Sequence, residues 1–436
     1  MVLLYTPKKQ QQKTNLIADI IDLDYQGLGI AKINGKTWFI ENALPQEKVE
    51  FSIIEEKRQY GRGKVKKWLK LSEQRQSPKC SYYQSCGGCQ SQHIPLSLQR
   101  EAKQKALFQR LSKLQSNIEF MPMMIGEQWQ YRRRIKLSIC YDTKKKIVNI
   151  GFRQKSSQQI IPINHCDVIE IEINEILPKL TALLQQWSLP KTLGHIELVA
   201  ADNGLAILLR ITENLTKNDR TLLINFAKQQ NLMLFIQDNY QIHHLCGEYP
   251  YYQLDDGIKL HFDIRDFIQV NKALNQKMVK TALNWLDLNQ EDNVLDLFCG
   301  MGNFTLSLSK KVKSAVGIEG VSDMVMKAEK NAEQNHCDNV KFYQGNLDQP
   351  FNQQQWGQQH FNKILLDPPR TGAAFALQAL CQLQAEKILY VSCNPATLVR
   401  DTEILLNFGY QLKKVAMIDM FPNTSHLESI SLFERQ

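Results

Sequence analysis

In the last third of the chain, four apolar runs each end at a loop that carries polar residues or glycines. These runs, with their loops, are residues 293–304, 314–319, 362–372 and 388–395. Short apolar runs bounded by turn signals are typical of buried strands, and a helical pattern follows the first and the last of them. Open α/β sheets built in this way bind ligands at the carboxyl ends of their strands. We therefore expect an α/β domain whose chemistry lies in these loops.

Cys393 stands at the end of the last run, in the turn Ser392-Cys393-Asn394-Pro395. A thiolate in this place is a strong nucleophile that can form a covalent intermediate. Free cysteines are also common as small core residues, so the position alone leaves that alternative open. The residues of the other three loops favour the interpretation of Cys393 as a nucleophile.

The loop after the first run contains Gly300 and Gly302, which let the backbone approach a ligand closely. A helix pattern begins just after it, so backbone amides would point at that ligand. The next run ends at Glu319, 23 residues after Asp296, where a carboxylate can accept hydrogen bonds from ribose hydroxyls. A dinucleotide site, and with it nicotinamide chemistry, would share this arrangement, but Thr305 replaces the third glycine of that pattern. The loop better resembles the S-adenosylmethionine site of Rossmann-like methyltransferases.

Seven segments, taken in order, resemble the RNA 5-methyluridine methyltransferase family. They are FIQVN at 267–271, DLFCGMGNF at 296–304, GIE at 317–319, GN at 345–346, LLDPPR at 365–370, VSCNPATLVRD at 391–401 and PNTSHLES at 422–429. By this resemblance six residues are expected to contact S-adenosylmethionine: Gln269, Phe298, Asn303, Glu319, Asn346 and Asp367. The resemblance further implies that Cys393 is the nucleophile and Glu428 the base.

Two positions depart from the pattern of this family. Pro369 stands where ribosomal members often have Ala, and Asn423 stands where His is common. Neither change removes a reactive group, but the shape of the base pocket could differ.

The chemistry of uracil explains why two reactive residues are needed. C5 of uracil is a poor nucleophile toward a sulfonium methyl group, and addition of a thiolate at C6 places electron density on C5. After methyl transfer, a base must remove the C5 proton so that the thiolate can leave. Glu428 fits this role, with a surface carboxylate before a terminal strand as the alternative. His426 is a candidate to orient the base or the substrate, and a structural histidine is the alternative.

Cys80, Cys86 and Cys89 form the spacing C-x5-C-x2-C, with two glycines in the last gap. Core cysteines rarely cluster between glycines, so scattered core thiols are a weak alternative. Cys166 is the best candidate for a fourth ligand because it also lies in a loop after a proline. Four thiolates suit either zinc or a [4Fe–4S] cluster, and the spacing does not separate the two.

Cys140 and Cys246 are the alternatives for the fourth ligand, although Cys140 lies in an apolar run typical of a core strand. Ribosomal members of the family carry this cysteine pattern around a [4Fe–4S] cluster, so the resemblance implies that cofactor here. A radical S-adenosylmethionine enzyme would also combine a cluster with this methyl donor, but its C-x3-C-x2-C spacing is absent.

Residues 14–72 alternate short β-like runs with turns, and five strands of this length predict a small OB-like barrel. The segment resembles the TRAM domain, an RNA-binding module. Residues 57–70 contain seven basic residues and no acid, and Tyr60 and Trp68 are candidates for stacking on bases. A solvated charged strand is the alternative. The expected phosphate contacts are Lys57, Arg58, Arg62, Lys64, Lys66 and Lys67.

We therefore expect a multidomain chain of three segments. They are a TRAM RNA-binding barrel over residues 1–74, a central α+β domain with the iron–sulfur cluster over residues 75–257, and a C-terminal α/β Rossmann-like methyltransferase domain over residues 258–436. An amphipathic helix over residues 96–116 is a candidate to pack on the catalytic domain. Three candidate phosphate contacts of the central segment are Arg132, Arg133 and Arg134. A solvated turn is the alternative for these arginines.

The formal net charge of +9 favours a polyanionic partner. The sequence shows neither an apolar run of membrane-spanning length nor a signal-peptide core, so we expect a cytoplasmic protein without membrane contact. Ten cysteines in a reducing compartment do not predict disulfides. A monomer is expected.

The predicted function is S-adenosylmethionine-dependent methylation of uracil C5 in 23S ribosomal RNA, at a site of the U1939 type. Within the same family, the alternative is another uridine of 23S ribosomal RNA or of transfer RNA. An alternative from another class is a non-catalytic RNA-binding or ribosome assembly factor, against which the intact Cys393 and Glu428 argue.

Overall fold

The computed structural model describes residues 15–436, which form two compact units, each with its own apolar core. The first unit contains the described residues up to Pro78, Gln90–Ala106 and Asn423–Ser425. The second unit contains Lys79–Cys89, Leu107–Pro422 and His426–Gln436.

The first unit holds a six-stranded sheet in the order β1-β5-β6-β4-β3-β2. Its strands are β1 (Asn15–Asp19), β2 (Asp22–Leu23), β3 (Gly29–Ile33), β4 (Lys36–Glu41), β5 (Lys48–Glu56) and β6 (Tyr60–Lys70). The sequence predicts five strands here, and the sixth arises because Ile20 and Ile21 divide the first apolar run into β1 and β2. Trp38, Ile40 and Phe51 lie in the core of this sheet.

The next two elements are α1 (Leu96–Leu111) and β7 (Glu119–Phe120). The first half of α1 packs in the first unit against Leu23, Leu44 and Ile94. The helix ends at Leu111 and not at residue 116, the end that the sequence predicts.

A seven-stranded sheet forms the central part of the second unit, in the order β10-β9-β8-β11-β12-β13-β14. Its elements are β8 (Arg134–Asp142), β9 (Ile147–Arg153), β10 (Ile160–Pro162), α2 (Ile171–Leu184), β11 (Leu193–Ala201), β12 (Gly204–Ile211), α3 (Lys217–Gln229), β13 (Leu232–Gln237) and β14 (Ile242–Cys246). A short 3-10 helix, Pro190–Thr192, precedes β11.

Strands at the middle of this sheet are buried on both faces. On β12, Leu205, Ile207 and Leu209 pack in the core that contains α2 and α3, whereas Ala206 and Leu208 pack in the core of the catalytic sheet. Burial on both faces explains why β12 is a continuous apolar run in the sequence. It also explains why the central and catalytic sheets belong to one compact unit.

The remaining elements build the catalytic part of the second unit. They are β15 (Tyr251–Gln253), β16 (Lys259–His261), α4 (Lys272–Leu286), β17 (Asn293–Leu297), α5 (Thr305–Ser309), β18 (Ser314–Glu319), α6 (Ser322–Gln334), β19 (Val340–Gln344), β20 (Lys363–Leu366), α7 (Ala374–Gln382), β21 (Lys387–Ser392), α8 (Pro395–Asn407), β22 (Tyr410–Ile418) and β23 (Glu428–Arg435). β15 and β16 pair only with each other, and a 3-10 helix, Phe351–Gln353, follows β19.

The catalytic sheet has eight strands in the order β19-β18-β17-β20-β21-β23-β22-β7. The strands from β19 to β21 are parallel, and β23 runs antiparallel to β21 and to β22. β7 pairs with β22 at the edge, although its residues precede the central sheet in the chain. Chain order reverses between β17 and β20, and a ligand crevice is expected at the carboxyl ends of strands at such a point.

Within residues 15–436, no helix combines the length and the hydropathy that a membrane span requires.

Candidate active site

The loop after β17 has the backbone of a ligand cradle. Phe298, Gly300 and Gly302 have φ values of 63°, 55° and 97°. A left-handed conformation at a bulky residue such as Phe298 is strained, and such strain clusters at functional sites. A methyl group built on Gly300 would meet no atom within 4 Å, so open space lies beside this loop. A ligand can therefore approach the backbone there.

Three carboxyl groups surround this loop: Asp296, Glu319 and Asp367. Thr305 Oγ1 donates to Asp296 Oδ2 at 2.6 Å, while buried Asp296 Oδ1 has no hydrogen-bond partner among residues 15–436. The backbone N–H of Gly300 donates to Glu319 Oε2 at 3.1 Å, which ties the end of β18 to the loop. The buried Asp296 Oδ1, an acceptor without a partner in the part of the chain that the structure describes, is suited to contact a cationic ligand.

Burial governs the protonation of Asp296 and Asp367. It raises the pKa of Asp296 to about 8, with further increases from Asp367 and Glu319 that the Thr305 hydrogen bond partly opposes. Burial likewise raises the pKa of Asp367 to about 7. The ammonium and sulfonium groups of S-adenosylmethionine would favour the charged carboxylates, so this donor fits the residues present.

The other residues expected to contact S-adenosylmethionine differ in their exposure to solvent and in their contacts within the protein. Asn303 is engaged within the protein: its Oδ1 accepts from Tyr252 Oη at 2.9 Å and from Asn275 Nδ2 at 3.0 Å, and its Nδ2 donates back to Asn275. The side chain therefore fixes the loop to α4. Gln269 is half-buried, and its carbonyl accepts from Arg133 Nε at 2.8 Å. Asn346 is exposed directly after β19.

Cys393 and Glu428 lie beside each other across two antiparallel strands. β21 and β23 pair Ser392 with Ser429, and the two residues stand one position beyond this pair. Glu428 is 8 % exposed, and Cys393 is half-buried. Burial raises the pKa of the Cys393 thiol, and the charges of Glu428 and Asp367 raise it further. The arrangement places a thiol and a carboxyl group beside each other at the ends of these two strands.

Arg370 opposes these effects on the thiol. It lowers the pKa of Cys393, and its Nη2 lies 2.8 Å from His426 Nδ1. The Asn394 side chain donates to the Arg370 carbonyl at 3.0 Å, so the loop after β20 is fastened to the residue that follows Cys393. His426 therefore contacts the arginine of this loop.

Three residues of this site were not singled out by the sequence analysis for a role: Asp296, Arg370 and Asp401. All three lie within segments that resemble the family: Asp296 is inside a strand, Arg370 is in a loop and Asp401 is on a helix. A carboxyl group inside an otherwise apolar strand is a usable signal for Asp296, because an unpaired buried charge is costly. The hydrogen bonds of Asp401 bring together residues distant in sequence and leave no such local signal.

The four expected cluster ligands are all half-buried in the second unit. Burial raises the pKa of Cys166 to about 12, and the nearby thiols of Cys89, Cys80 and Cys86 raise it further. The fold therefore gathers the four thiols, and none of the ten cysteines forms a disulfide. Within residues 15–436, however, no three His, Cys, Asp or Glu side chains are already arranged to hold a metal ion.

The two alternative cysteines lie elsewhere. Cys140 is exposed on the outward face of β8, so its interpretation as a core residue was wrong: the strand alternates, and this position falls on the solvent side. Cys246 pairs with Leu234 on the edge strand β14.

The three arginines of the central segment do not form a solvated turn. Arg133 is 1 % exposed, with its guanidinium 4.7 Å from the Tyr252 ring centroid. Arg134 pairs with Glu197 at 3.0 Å and donates to the carbonyl of Ile264. These contacts make Arg133 and Arg134 structural, because their cationic groups are already enclosed. Arg132 is half-buried and donates through Nε to the Arg134 carbonyl.

The outward face of β6 carries several exposed basic residues of the first unit. Val65 is buried, whereas Lys64 and Lys66 on either side of it are exposed. Lys57 Nζ lies 3.1 Å from Glu55 Oε1 and 5.5 Å from the Tyr60 ring centroid, so its charge is partly neutralised.

Of the two aromatic residues predicted to stack on bases, Trp68 is exposed and Tyr60 is half-buried, and they differ in their contacts. The Arg75 guanidinium lies 5.2 Å from the ring centroid of Trp68 and covers one of its faces. Tyr60 contacts Phe39 edge-on at 6.2 Å. Tyr60 and Phe39 therefore provide an aromatic pair beside the exposed lysines.

Two family models match the chain, one near its beginning and one over the rest. The family model described as tRNA (Uracil-5-)-methyltransferase matches residues 96–436, and the TRAM domain model matches residues 15–66.

Curated relatives match over their whole length. The 23S rRNA (uracil(1939)-C(5))-methyltransferase RlmD of Histophilus somni (strain 129Pt) is 69% identical over 437 residues, covering 100% of both chains. The protein of the same name from Pasteurella multocida (strain Pm70) is 66% identical with the same coverage. The one from Aliivibrio fischeri (strain MJ11) is 45% identical over 440 residues, again covering 100% of both chains.

A solved structure shares the fold. The Pyrococcus abyssi tRNA (uracil-54, C5)-methyltransferase in complex with S-adenosyl-L-homocysteine has a TM-score of 0.72 and 21% identity, covering 96% of this chain and 100% of that chain. With the family model spanning residues 96–436 and full-length relatives at 69% and 66% identity, the chain belongs to the tRNA (uracil-5-)-methyltransferase family.

Proposed function

We propose that this enzyme transfers the methyl group of S-adenosylmethionine to C5 of a uracil in 23S ribosomal RNA. We further propose the position that the names of its relatives give, uracil 1939. The observation that carries the chemistry is the position of Cys393 and Glu428, one residue beyond the Ser392–Ser429 pair of β21 and β23 and near Asp367 after β20. A thiol and a carboxylate so placed fit an addition and elimination at neighbouring ring carbons.

The proposed reaction has three covalent steps. Cys393 Sγ, after losing its proton to solvent, bonds to uracil C6, and the C5–C6 π electrons move into an enolate. C5 then bonds to the methyl carbon while the methyl–sulfur bond of the donor breaks, which releases S-adenosylhomocysteine. Glu428 takes the C5 proton, the C5–C6 double bond forms again, and the sulfur of Cys393 leaves as a thiolate.

We propose that the loop after β17 and the carboxyl groups around it bind the methyl donor. Glu319 is suited to ribose hydroxyls, and Asp296 and Asp367 are suited to the cationic part of the donor. Gln269, Phe298 and Asn346 are proposed as further contacts. For Asn303 the three hydrogen bonds to Tyr252 and Asn275 favour an indirect role, in which it holds the loop in place.

We propose that Cys80, Cys86, Cys89 and Cys166 hold a [4Fe–4S] cluster. The support is that the four cysteines are half-buried in one unit, and that the charges of Cys89, Cys80 and Cys86 raise the pKa of Cys166, which places these thiols near one another. Such a cluster would fasten the 80–89 loop to the central sheet. Methyl transfer requires no electron, so its proposed role is structural or in positioning RNA.

We propose that the segments 1–74, 75–257 and 258–436 divide the work into RNA binding, RNA positioning and catalysis. The exposed Lys64 and Lys66 support a phosphate-binding face on the TRAM segment. The target uridine must leave any base stack to reach Cys393, so a folded RNA segment is the proposed substrate. A monomer acting in the cytoplasm suits this role.

Mapping of 5-methyluridine in ribosomal RNA tests the function. A strain without the gene should lack the modification at the position equivalent to 1939 in its relatives' names, and the wild-type gene should restore it. The Cys393→Ala gene should not restore it. Loss of 5-methyluridine at another 23S position or in transfer RNA would move the target within the family. An unchanged modification map would favour a non-catalytic role.

A further inference from the structure

A fully buried carboxylate lies behind the proposed nucleophile and has no role in the steps described above. Asp401 is 0 % exposed and lies on α8, the helix that begins two residues after Cys393. Its Oδ2 accepts from Tyr390 Oη at 2.6 Å and from the Ala373 backbone N–H at 2.7 Å. Arg400 donates to its other oxygen. One carboxylate thus joins β21, α8 and the turn after β20.

The turn after β20 is attached to α8 at several further points. The carbonyl of Arg370 accepts from Asn394 Nδ2 at 3.0 Å and from Thr397 Oγ1 at 3.4 Å. The carbonyl of Thr371 accepts from Arg400 Nη2 at 2.9 Å. These contacts hold the backbone that carries Arg370 against the first turns of the helix.

Gly372 makes this close attachment possible. Its φ is +74°, and a Cβ built there would lie 2.5 Å from Asp401 Oδ2 and 2.5 Å from Arg400 Nη2. Any side chain at this position would therefore push the turn away from the carboxylate. The backbone of the turn is shaped to let Asp401 reach the N–H of Ala373.

We propose that Asp401 is a positioning residue: it holds the 370–373 turn so that the Arg370 guanidinium stays beside Cys393 and His426. The inference rests on the proposed function only in treating Cys393 as the nucleophile. A misplacement of about 1 Å in a catalytic group can lower a rate by about 100-fold, so a residue behind the site can matter as much as one within it.

Three charged groups bear on the pKa of the Cys393 thiol. Glu428 on β23 and Asp367 after β20 raise it, and Arg370 lowers it. If Asp401 sets the place of Arg370, loss of Asp401 moves this favourable charge away and leaves both carboxylates. The thiol should then lose its proton only at higher pH.

The pH at which the Cys393 thiol loses its proton can be measured in the full-length protein. The thiol is alkylated with iodoacetamide at several pH values, and the peptide that contains it is analysed by mass spectrometry. In Asp401→Asn the alkylation curve should move to higher pH, and kcat for RNA methylation should fall by about 10- to 100-fold. Tyr390→Phe removes one hydrogen bond and little volume. It should also move the alkylation curve to higher pH and lower kcat, each by less than Asp401→Asn does. Binding of S-adenosylhomocysteine should be unchanged, because most of its proposed contacts lie on other loops and Asp367 lies before the 370–373 turn.

Two controls separate positioning from loss of stability. Asp292→Asn breaks the buried contact with Lys363 at the opposite end of the sheet, 2.7 Å between the charged groups, and should lower Tm without moving the Cys393 curve. In an Arg370→Met background, Asp401→Asn should add no further shift, because the effect is transmitted through Arg370.

A wild-type alkylation curve and kcat in both Asp401→Asn and Tyr390→Phe would overturn the inference. So would an equal shift of the curve in Asp292→Asn. A wild-type enzyme that makes no 5-methyluridine would instead overturn the proposed function and leave the alkylation result standing.

Discussion

Cys393 and Glu428 stand opposite each other at the ends of two antiparallel strands, one position beyond the Ser392–Ser429 pair. Directly opposed residues of such a pair have Cβ atoms about 4.5–5.5 Å apart, so their side chains share one face of the sheet. In this way the sheet register brings together two residues that are far apart in sequence.

The affinity for S-adenosylmethionine should rise with pH across the range near neutrality. Asp296 and Asp367 have pKa values of about 8 and about 7 in the free protein, so both are largely protonated at pH 6 and gain charge as pH rises. A cationic ligand binds the charged form better and lowers both pKa values. Calorimetric titration at several pH values should therefore give tighter binding at pH 8 than at pH 6.

Variants identify the groups responsible for this pH dependence. Asp296→Asn should reduce the rise in affinity, because one of the two titrating carboxyls is gone while Asp367 and the side-chain shape are kept. Asp323→Asn, in the first turn of α6, is the matched control and should keep the wild-type slope. A pH-independent affinity in the wild-type protein would show that these carboxyls do not face the cationic donor.

The TRAM face predicts a salt effect on RNA binding. Lys64→Ala and Lys66→Ala should each weaken binding and reduce the slope of log K against log salt by about 1, because each removes one phosphate contact. Lys36→Ala is the control in the same sheet, since Lys36 Nζ is already paired with Glu56 at 2.6 Å. Equal slopes for all three variants and the wild type would mean that RNA does not lie on this face.

Much of the catalytic site could be predicted from local sequence. Apolar runs that stop at Asp367 and Cys393 place both residues at strand ends, and the glycines at 300 and 302 mark the cradle beside them. The pairing of Cys393 with Glu428 depends on the register of β21 and β23, which no local pattern specifies.

Local sequence patterns do not predict the environment of residues that depend on tertiary contacts. The burial of Arg133 follows from its packing on Tyr252, more than a hundred positions away in sequence, and the role of Asp401 follows from its bond to Ala373. The exposure of Cys140 depends on which face of β8 turns toward the core. Each of these outcomes is fixed by which elements pack together and not by the residue and its neighbours.

The loop that contains Cys80, Cys86 and Cys89, together with Cys166, predicts that the protein contains iron. Protein purified without oxygen should be brown and contain iron and sulfide, because four thiols approach one another around Cys166. Cys166→Ser should lower the iron content and reduce stability or RNA affinity while S-adenosylmethionine binding persists. Cys140→Ser, on the exposed face of β8, should change none of these. Stoichiometric zinc without iron would refute the [4Fe–4S] proposal.

The order of the covalent steps is the central claim, and trapping of the RNA adduct tests it most directly. With labelled RNA and S-adenosylmethionine, Glu428→Gln should accumulate a covalent protein–RNA species that carries the transferred methyl group, because the C5 proton can no longer be removed. A denaturing gel should show this species as a retarded band, and the band should be absent from the Cys393→Ala, Glu428→Gln double variant. Rapid turnover without an adduct in Glu428→Gln, or normal turnover in Cys393→Ala, would contradict the account.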